Sequence, residues 1–220
     1  MNYYPVLLDL KDKKALVVGG GKVAERKIET LLSCGALIRL VSRELTANLE
    51  LLVENGDVLH VGDRFKEQDL DEVFLVIAAT DDKKLNRRVS EAAHKRGLLV
   101  NAVDQPADCN FIVPSIVKRG ALLVAISTSG KSPALAKKIR RELESQFGYE
   151  YGVFLALMGE LRREILSLGL PSAENSRIFH EIVDSDILNA IASKQWVRVE
   201  SILSGIIPEG IALSEILKHL

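Results

Sequence analysis

Two hydrophobic periods alternate along the first hundred residues. Short apolar runs, rich in β-branched residues, recur at 15–19 (ALVVG), 37–41 (LIRLV), 57–61 (DVLHV), 73–79 (VFLVIAA) and 98–103 (LLVNAV). Runs of this length and composition predict buried strands. Between most of them, apolar residues recur every three to four positions, as on an amphipathic helix. In KVAERKIETLLSCG, Val23, Ile28, Leu31 and Leu32 fall near one face and Gly35 stops the pattern. DKKLNRRVSEAAHKRG repeats this and stops at Gly97, and ELTANLELLVENG supplies a second crossover helix. Strand, helix, strand at this rhythm predicts βαβ units and a mostly parallel sheet.

The pattern changes after Asp104. FIVPSIVKRGALLVAIS (111–127) reads as two β-rich runs joined in a hairpin at Arg119-Gly120, with Pro114 marking an edge or a break. A polar loop, STSGKSP, leads into ALAKKIRRELESQF. Pro133 opens that helix at its first turn, and Ser132 is its candidate N-cap. Beyond Tyr149 only helices are expected, at 150–168, 174–192, 194–204 and 211–219. The expected fold is α/β. A Rossmann-type parallel sheet (1–112) precedes a small β/α element (113–148) and a helical C-terminal domain (149–220).

Composition narrows the function classes. Basic and acidic residues nearly cancel, at 29 and 30, so net charge points to no partner. No apolar run approaches the roughly 18 residues of a membrane span, and the N-terminus lacks the basic start and cleavage site of a signal peptide. Cys34 and Cys109 stand in unrelated contexts, which predicts free thiols and a cytoplasmic protein. His60, His94, His180 and His219 are scattered, so no structural metal site is expected. Trp196, Tyr149, Tyr151, Phe154 and Phe179 are expected in the core of the helical region rather than as a substrate platform.

The glycine loop carries the first chemistry. Gly19-Gly20-Gly21-Lys22-Val23-Ala24 fits G-x-G-x-x-G/A with Ala in last place. The first glycine permits a sharp turn off the strand, Gly21 leaves room for a pyrophosphate, and Ala24 permits close packing of helix on strand. The helix N-terminus then offers unpaired N–H groups to phosphates. Dinucleotide folds that prefer NAD place an acid at the end of the second strand. Here the chain reads Ser42-Arg43-Glu44: Ser42 suits a ribose hydroxyl, Arg43 suits the 2′-phosphate of NADP, and Glu44 comes late. NAD and NADP both remain open. Ala79, Thr80 and Asp81 after the fourth strand, and Val103 after the fifth, lie at the carboxyl edge where ligands bind. Asp81 or Asp82 equally suits the cap of the next helix.

Several motifs together carry a family resemblance. YPVLLDLKDKKALVVGGGKVAERKIETLL, AATDDKKLNRRV and NAVDQPADCNFIVPSIVKRGALLVAISTSGKSPALAKKIRRELE span about residues 3–147. They resemble the precorrin-2 dehydrogenase family, whose module also forms the N-terminal half of the fused siroheme synthase. The resemblance implies NAD-dependent oxidation of precorrin-2 to sirohydrochlorin, and in some members insertion of ferrous iron at the same site. It implies a homodimer held by the element after the Rossmann domain. It also implies a separate methyltransferase supplying precorrin-2, since that half of the fused enzyme does not follow here.

In that family the aspartate of the NAVD motif is the one proposed for catalysis, here Asp104. Asp104 reads as the end of the fifth strand, and a carboxylate at this edge of the sheet suits the removal of a proton from the macrocycle; a turn cap before Pro106 is its other reading. No acidic residue occurs between Asp108 and Glu142, whereas Lys118, Arg119, Lys131, Lys137, Lys138, Arg140 and Arg141 do. Such a positive field suits a polycarboxylate. Ser127, Thr128, Ser129 and Lys131 are the candidate substrate contacts, with hydroxyls and backbone N–H groups beside a helix start. The stretch has no interleaved aromatics or nucleic-acid motif, so no nucleic-acid partner is expected.

Overall fold

The computed structural model describes residues 3–218. The chain divides into two compact units, Met1–Val113 and Pro114–Leu220.

The first unit runs β1 (Lys14–Val18), α1 (Lys22–Ser33), β2 (Leu37–Val41), α2 (Ala47–Glu54), β3 (Val58–Gly62), β4 (Leu75–Ala78), α3 (Lys83–Lys95) and β5 (Leu99–Ala102). The five strands form one parallel sheet in the order β3-β2-β1-β4-β5. The link from β3 to β4 carries a single 3-10 turn at Glu67–Leu70. β4 is apolar throughout, and β1 is apolar after Lys14, because both sheet faces are covered. Ala15, Val17, Leu75 and Ile77 pack with Ala24, Ile28, Leu31 and Leu49 of α1 and α2. Leu16, Val18, Val76 and Ala78 pack with Val89, Ala92 and Ala93 of α3 and with Phe65. Each fully buried Leu or Val contributes about 1.5–3 kcal/mol. The strand order reverses between β1 and β4, which opens a crevice at their carboxyl ends.

The second unit begins with an antiparallel pair, β6 (Ser115–Arg119) and β7 (Leu122–Ile126), joined at Gly120-Ala121. Then follow α4 (Pro133–Gln146), α5 (Tyr149–Ser167), α6 (Ser172–Asp184), α7 (Ile187–Ala192), α8 (Trp196–Ser204) and α9 (Leu213–Lys218). Pro133 occupies the first turn of α4, and Ser132 caps it by accepting the Leu135 N–H at 3.2 Å. The single helix expected over 174–192 is two. Ser185 turns extended, and its hydroxyl donates to Ile182 O at 2.7 Å, giving the end of α6 an acceptor's partner outside the helix. Phe154 joins Leu157, Leu161, Ile165, Ile178 and Ile182 in the core. Trp196 and Tyr149 do not: they are 39% and 47% exposed. The Tyr149 hydroxyl donates to Ile191 O at 2.9 Å, so its polar tip ties α5 to α7. His219 lies outside the described residues, and among those described no helix is long and apolar enough to cross a membrane.

Candidate cofactor and catalytic sites

The three loop glycines have different physical reasons. Gly19 sits at φ +119°, and a Cβ there would lie 2.3 Å from Ala79 O. At Gly20 a Cβ would lie 2.1 Å from Glu44 O. These two are demanded by the chain's own packing against the loops after β4 and β2. Gly21 has no protein atom within 4 Å of a built Cβ, and it caps α1 with no side-chain bond. The first N–H groups of α1 therefore face open space, with the positive end of the helix dipole behind them. The space at Gly21 fits the pyrophosphate of a dinucleotide.

Two adjoining clefts meet at this loop. The first, about 890 Å³, is lined by Gly19, Gly20, Gly21, Lys22, Val23, Ser42, Arg43, Glu44, Ala79, Thr80 and Asp81, with Leu45 and Thr46. Val103 is not among its lining residues; its N–H donates to Ala78 O at 2.9 Å and extends the sheet pairing. The second cleft, about 540 Å³, shares Gly19, Ser42, Arg43 and Thr80, and adds Asp63, Arg64, Phe65, Lys84 and Arg88 among others. Sequence reasoning missed this second lining, because it draws on the loop after β3 and the start of α3. Arg88 lies 5.6 Å over the Phe65 ring and donates to Phe65 O at 3.1 Å.

Buried polar side chains hold the cleft walls. Asn86 on α3 is 1% exposed. Its Oδ1 accepts the Thr80 N–H at 3.1 Å and the Thr80 hydroxyl at 2.7 Å, and its Nδ2 donates to Thr80 O at 2.9 Å. Its signal in the sequence is a lone amide on the helix face that also carries Val89, Ala92 and Ala93. Asp82 caps α3, accepting the Lys84 and Leu85 N–H groups at 2.9 and 3.1 Å. Asp81 is thereby left facing the first cleft. On the other side Glu25 accepts the Thr46 hydroxyl, and the Thr46 N–H donates to Gly20 O at 3.1 Å. The Thr46 bond, helped by Lys22, holds the Glu25 carboxyl below its ordinary range against the opposing effect of burial.

Asp104 does not end a strand. β5 stops at Ala102, and Asp104 lies in the following turn at φ +58° with its side chain exposed. Aspartate is among the few residues that tolerate this left-handed conformation. The turn is anchored from below. Gln105 N–H donates to Ala102 O at 3.2 Å, and Cys109 Sγ accepts the Ala102 N–H at 3.1 Å. Burial pushes the Cys109 thiol above its ordinary value, which keeps it a donor, 3.2 Å from Ala102 O. Asn110 closes the edge of β5, accepting the Val100 N–H and donating to Leu98 O, both at 2.8 Å. Among the described residues the Asp104 carboxylate has no hydrogen-bond partner, and no group of three His, Cys, Asp or Glu residues is arranged to hold a metal ion.

In the second unit the basic stretch separates into two sets. Arg119 is structural: its Nε donates to Phe147 O at 2.8 Å and a terminal nitrogen to Glu144 O at 3.0 Å, at the carbonyl end of α4. Arg140 pairs with Glu144 at 2.7 Å, and Lys138 approaches Glu142 at 3.8 Å. Lys118, Lys131, Lys137 and Arg141 have no ion-pair partner among the described residues. In the loop before α4, Ser127 Oγ accepts the Ser129 N–H and Thr128 Oγ1 the Ser132 N–H, both at 3.1 Å. Their hydroxyl protons remain available to donate.

Residues 6–115 match the family described as "Putative NAD(P)-binding", and residues 119–146 match "Sirohaem biosynthesis protein central". The chain is 40% identical over 200 residues to siroheme synthase 1 of Serratia proteamaculans, covering 91% of this chain and 42% of that one. It is 37% identical over 205 residues to siroheme synthase of Zymomonas mobilis, covering 93% and 43%. The chain thus spans about two fifths of the length of these curated relatives. Among solved structures it is similar to SirC, a precorrin-2 dehydrogenase, with a TM-score of 0.80 and 31% identity over 93% of this chain and 98% of that one. With a dinucleotide cradle at the switch point, a carboxylate after β5 and these likenesses along almost its whole length, the chain belongs to the precorrin-2 dehydrogenase family of siroheme biosynthesis, and its first unit is of the NAD(P)-binding type.

Proposed function

We propose that this chain oxidises precorrin-2 to sirohydrochlorin with NAD+. The observation that carries the reading is its likeness to SirC over 98% of that chain, with the open cradle at Gly21 intact. NAD+, when bound, supplies the acceptor for a hydride from the macrocycle. The residues of the chain do the rest. The N–H groups at the start of α1 hold the pyrophosphate; Ser42, Arg43 and Glu44 meet the adenosine ribose; and Ala79, Thr80 and Asp81 line the same cleft.

Asp104 takes the proton that leaves with the hydride, so that precorrin-2 and NAD+ give sirohydrochlorin, NADH and a proton. A carboxylate free of protein partners and exposed at the sheet's carboxyl edge suits that role. Ser127, Thr128, Ser129 and Lys131 grip substrate carboxylates through the hydroxyl protons, the backbone N–H groups and the ammonium. The element 113–148 pairs two copies into a homodimer. The test is purified protein with precorrin-2 and NAD+, followed by the absorbance of sirohydrochlorin. Product that forms only with NAD+ is expected; its absence overturns the reading.

A further inference from the structure

The second cleft has a charge pattern of which the proposed NAD chemistry uses only Arg43. Its wall carries Arg43 at the end of β2, Arg64 after β3, and Lys84 and Arg88 on α3, against Asp63 and Asp82. Asp82 caps α3, accepting two of its N–H groups. Arg88 is tied to Phe65. Arg43, Arg64 and Lys84 are exposed and without a hydrogen-bond or ion-pair partner among the described residues, and with Arg88 they outnumber the two acids of the wall, Asp63 and Asp82. The excess is positive, and it comes from three separate segments that meet at one cleft.

The residue that would normally repel a second phosphate here is missing. At the end of β2, dinucleotide folds selective for NAD place an acid that bonds the ribose 2′-hydroxyl and excludes a 2′-phosphate. Ser42 occupies that place, and its hydroxyl donates to Glu44 O at 2.8 Å. The next acid along the chain, Glu44, lines the glycine-loop cleft and not this one. The pyrophosphate already has its own donors at α1, so an anion beside Arg43 and Arg64 must come from another part of the ligand. Planar guanidinium groups suit a phosphate in particular.

We propose that Arg43 and Arg64 form a 2′-phosphate subsite, so that this chain accepts NADP as well as NAD. The inference rests on the dinucleotide reading of the glycine loop and deepens it. The subsite residues are specificity-determining and take no part in the removal of hydride or proton.

Binding is read directly, by titrating the whole chain with NADH and with NADPH and following nucleotide fluorescence. NADPH is expected to bind within a few-fold of NADH. Arg64→Ala, at a residue that lines the second cleft and not the glycine-loop cleft, is expected to weaken NADPH by tenfold or more and NADH by less than threefold. The conservative Arg64→Lys should keep part of the NADPH affinity, which separates lost charge from lost folding. NADH bound and NADPH weaker by more than tenfold in the native chain overturns the subsite while leaving the cofactor reading intact. Equal loss of both nucleotides in Arg64→Ala also overturns it. Failure of both nucleotides to bind removes the cofactor reading, and the subsite with it.

Discussion

Asn86 bonds Thr80 through three hydrogen bonds that together satisfy the Thr80 N–H, carbonyl and hydroxyl. The pair fixes the loop after β4, one wall of both clefts, to the buried side of α3. Replacing Asn86 with Leu removes both amide partners at once and leaves the Thr80 backbone groups without bonds. We expect a loss of about 1–3 kcal/mol in urea unfolding, together with weaker NADH binding. Unchanged stability would mean that water replaces the amide.

Gly21 and Gly19 make a contrasting pair. Gly21→Ala places a methyl in open space at φ −83°, so the melting temperature should stay near that of the parent. NADH affinity should nevertheless fall, because the methyl occupies the pyrophosphate's room. Gly19→Ala meets Ala79 O at 2.3 Å in a left-handed conformation and should lower stability itself. Circular dichroism and NADH titration on the two variants distinguish cradle from packing.

For Asp104, asparagine is the more informative substitution. It tolerates the same turn at φ +58°, whereas alanine adds about 1–2 kcal/mol of conformational cost. Asp104→Asn should lower turnover of precorrin-2 by about 10²–10⁴-fold, the usual share of a general base. NADH binding should be retained in both variants. Full turnover in either removes the carboxylate from the chemistry.

The Glu25–Thr46 bond predicts a pH dependence. The folded-state value of Glu25 lies below the ordinary 4.5. Its contribution to stability is therefore fully present above 4.5 and is lost as the pH falls from there through the folded-state value. Glu25→Gln should flatten the acid limb of a stability–pH curve. The melting temperature measured between neutral and acid pH checks this, and parallel curves for the two proteins would exclude Glu25 as a source of the slope.

Arg119 should behave as a structural residue. Arg119→Ala removes donors to Phe147 O and Glu144 O and should cost about 2–3 kcal/mol. Lys131→Ala, by contrast, should leave the melting temperature unchanged and raise the KM for precorrin-2. A KM effect of Arg119→Ala without a stability effect would reverse the assignment.

Much of this architecture is legible in the sequence, and the reasons are local. Strands buried on both faces must be apolar at every position, so β1 and β4 announce themselves as runs. Ser132 and Pro133 start α4 because a cap and a preset φ act within one turn. The glycine loop is legible because its steric demands fall on consecutive residues. Tertiary structure decided what depends on distant partners. Gly21 differs from Gly19 only in what lies across the loop from it. Arg119 and Lys131 carry the same charge in one basic stretch, and only the carbonyl end of α4 separates their roles. Arg43 and Arg64 come to one edge because β2 and β3 pair in parallel, and Lys84 joins them from across the point where the strand order reverses between β1 and β4. Local propensity cannot encode that meeting, since it is the packing of the whole sheet that brings the loops to one edge.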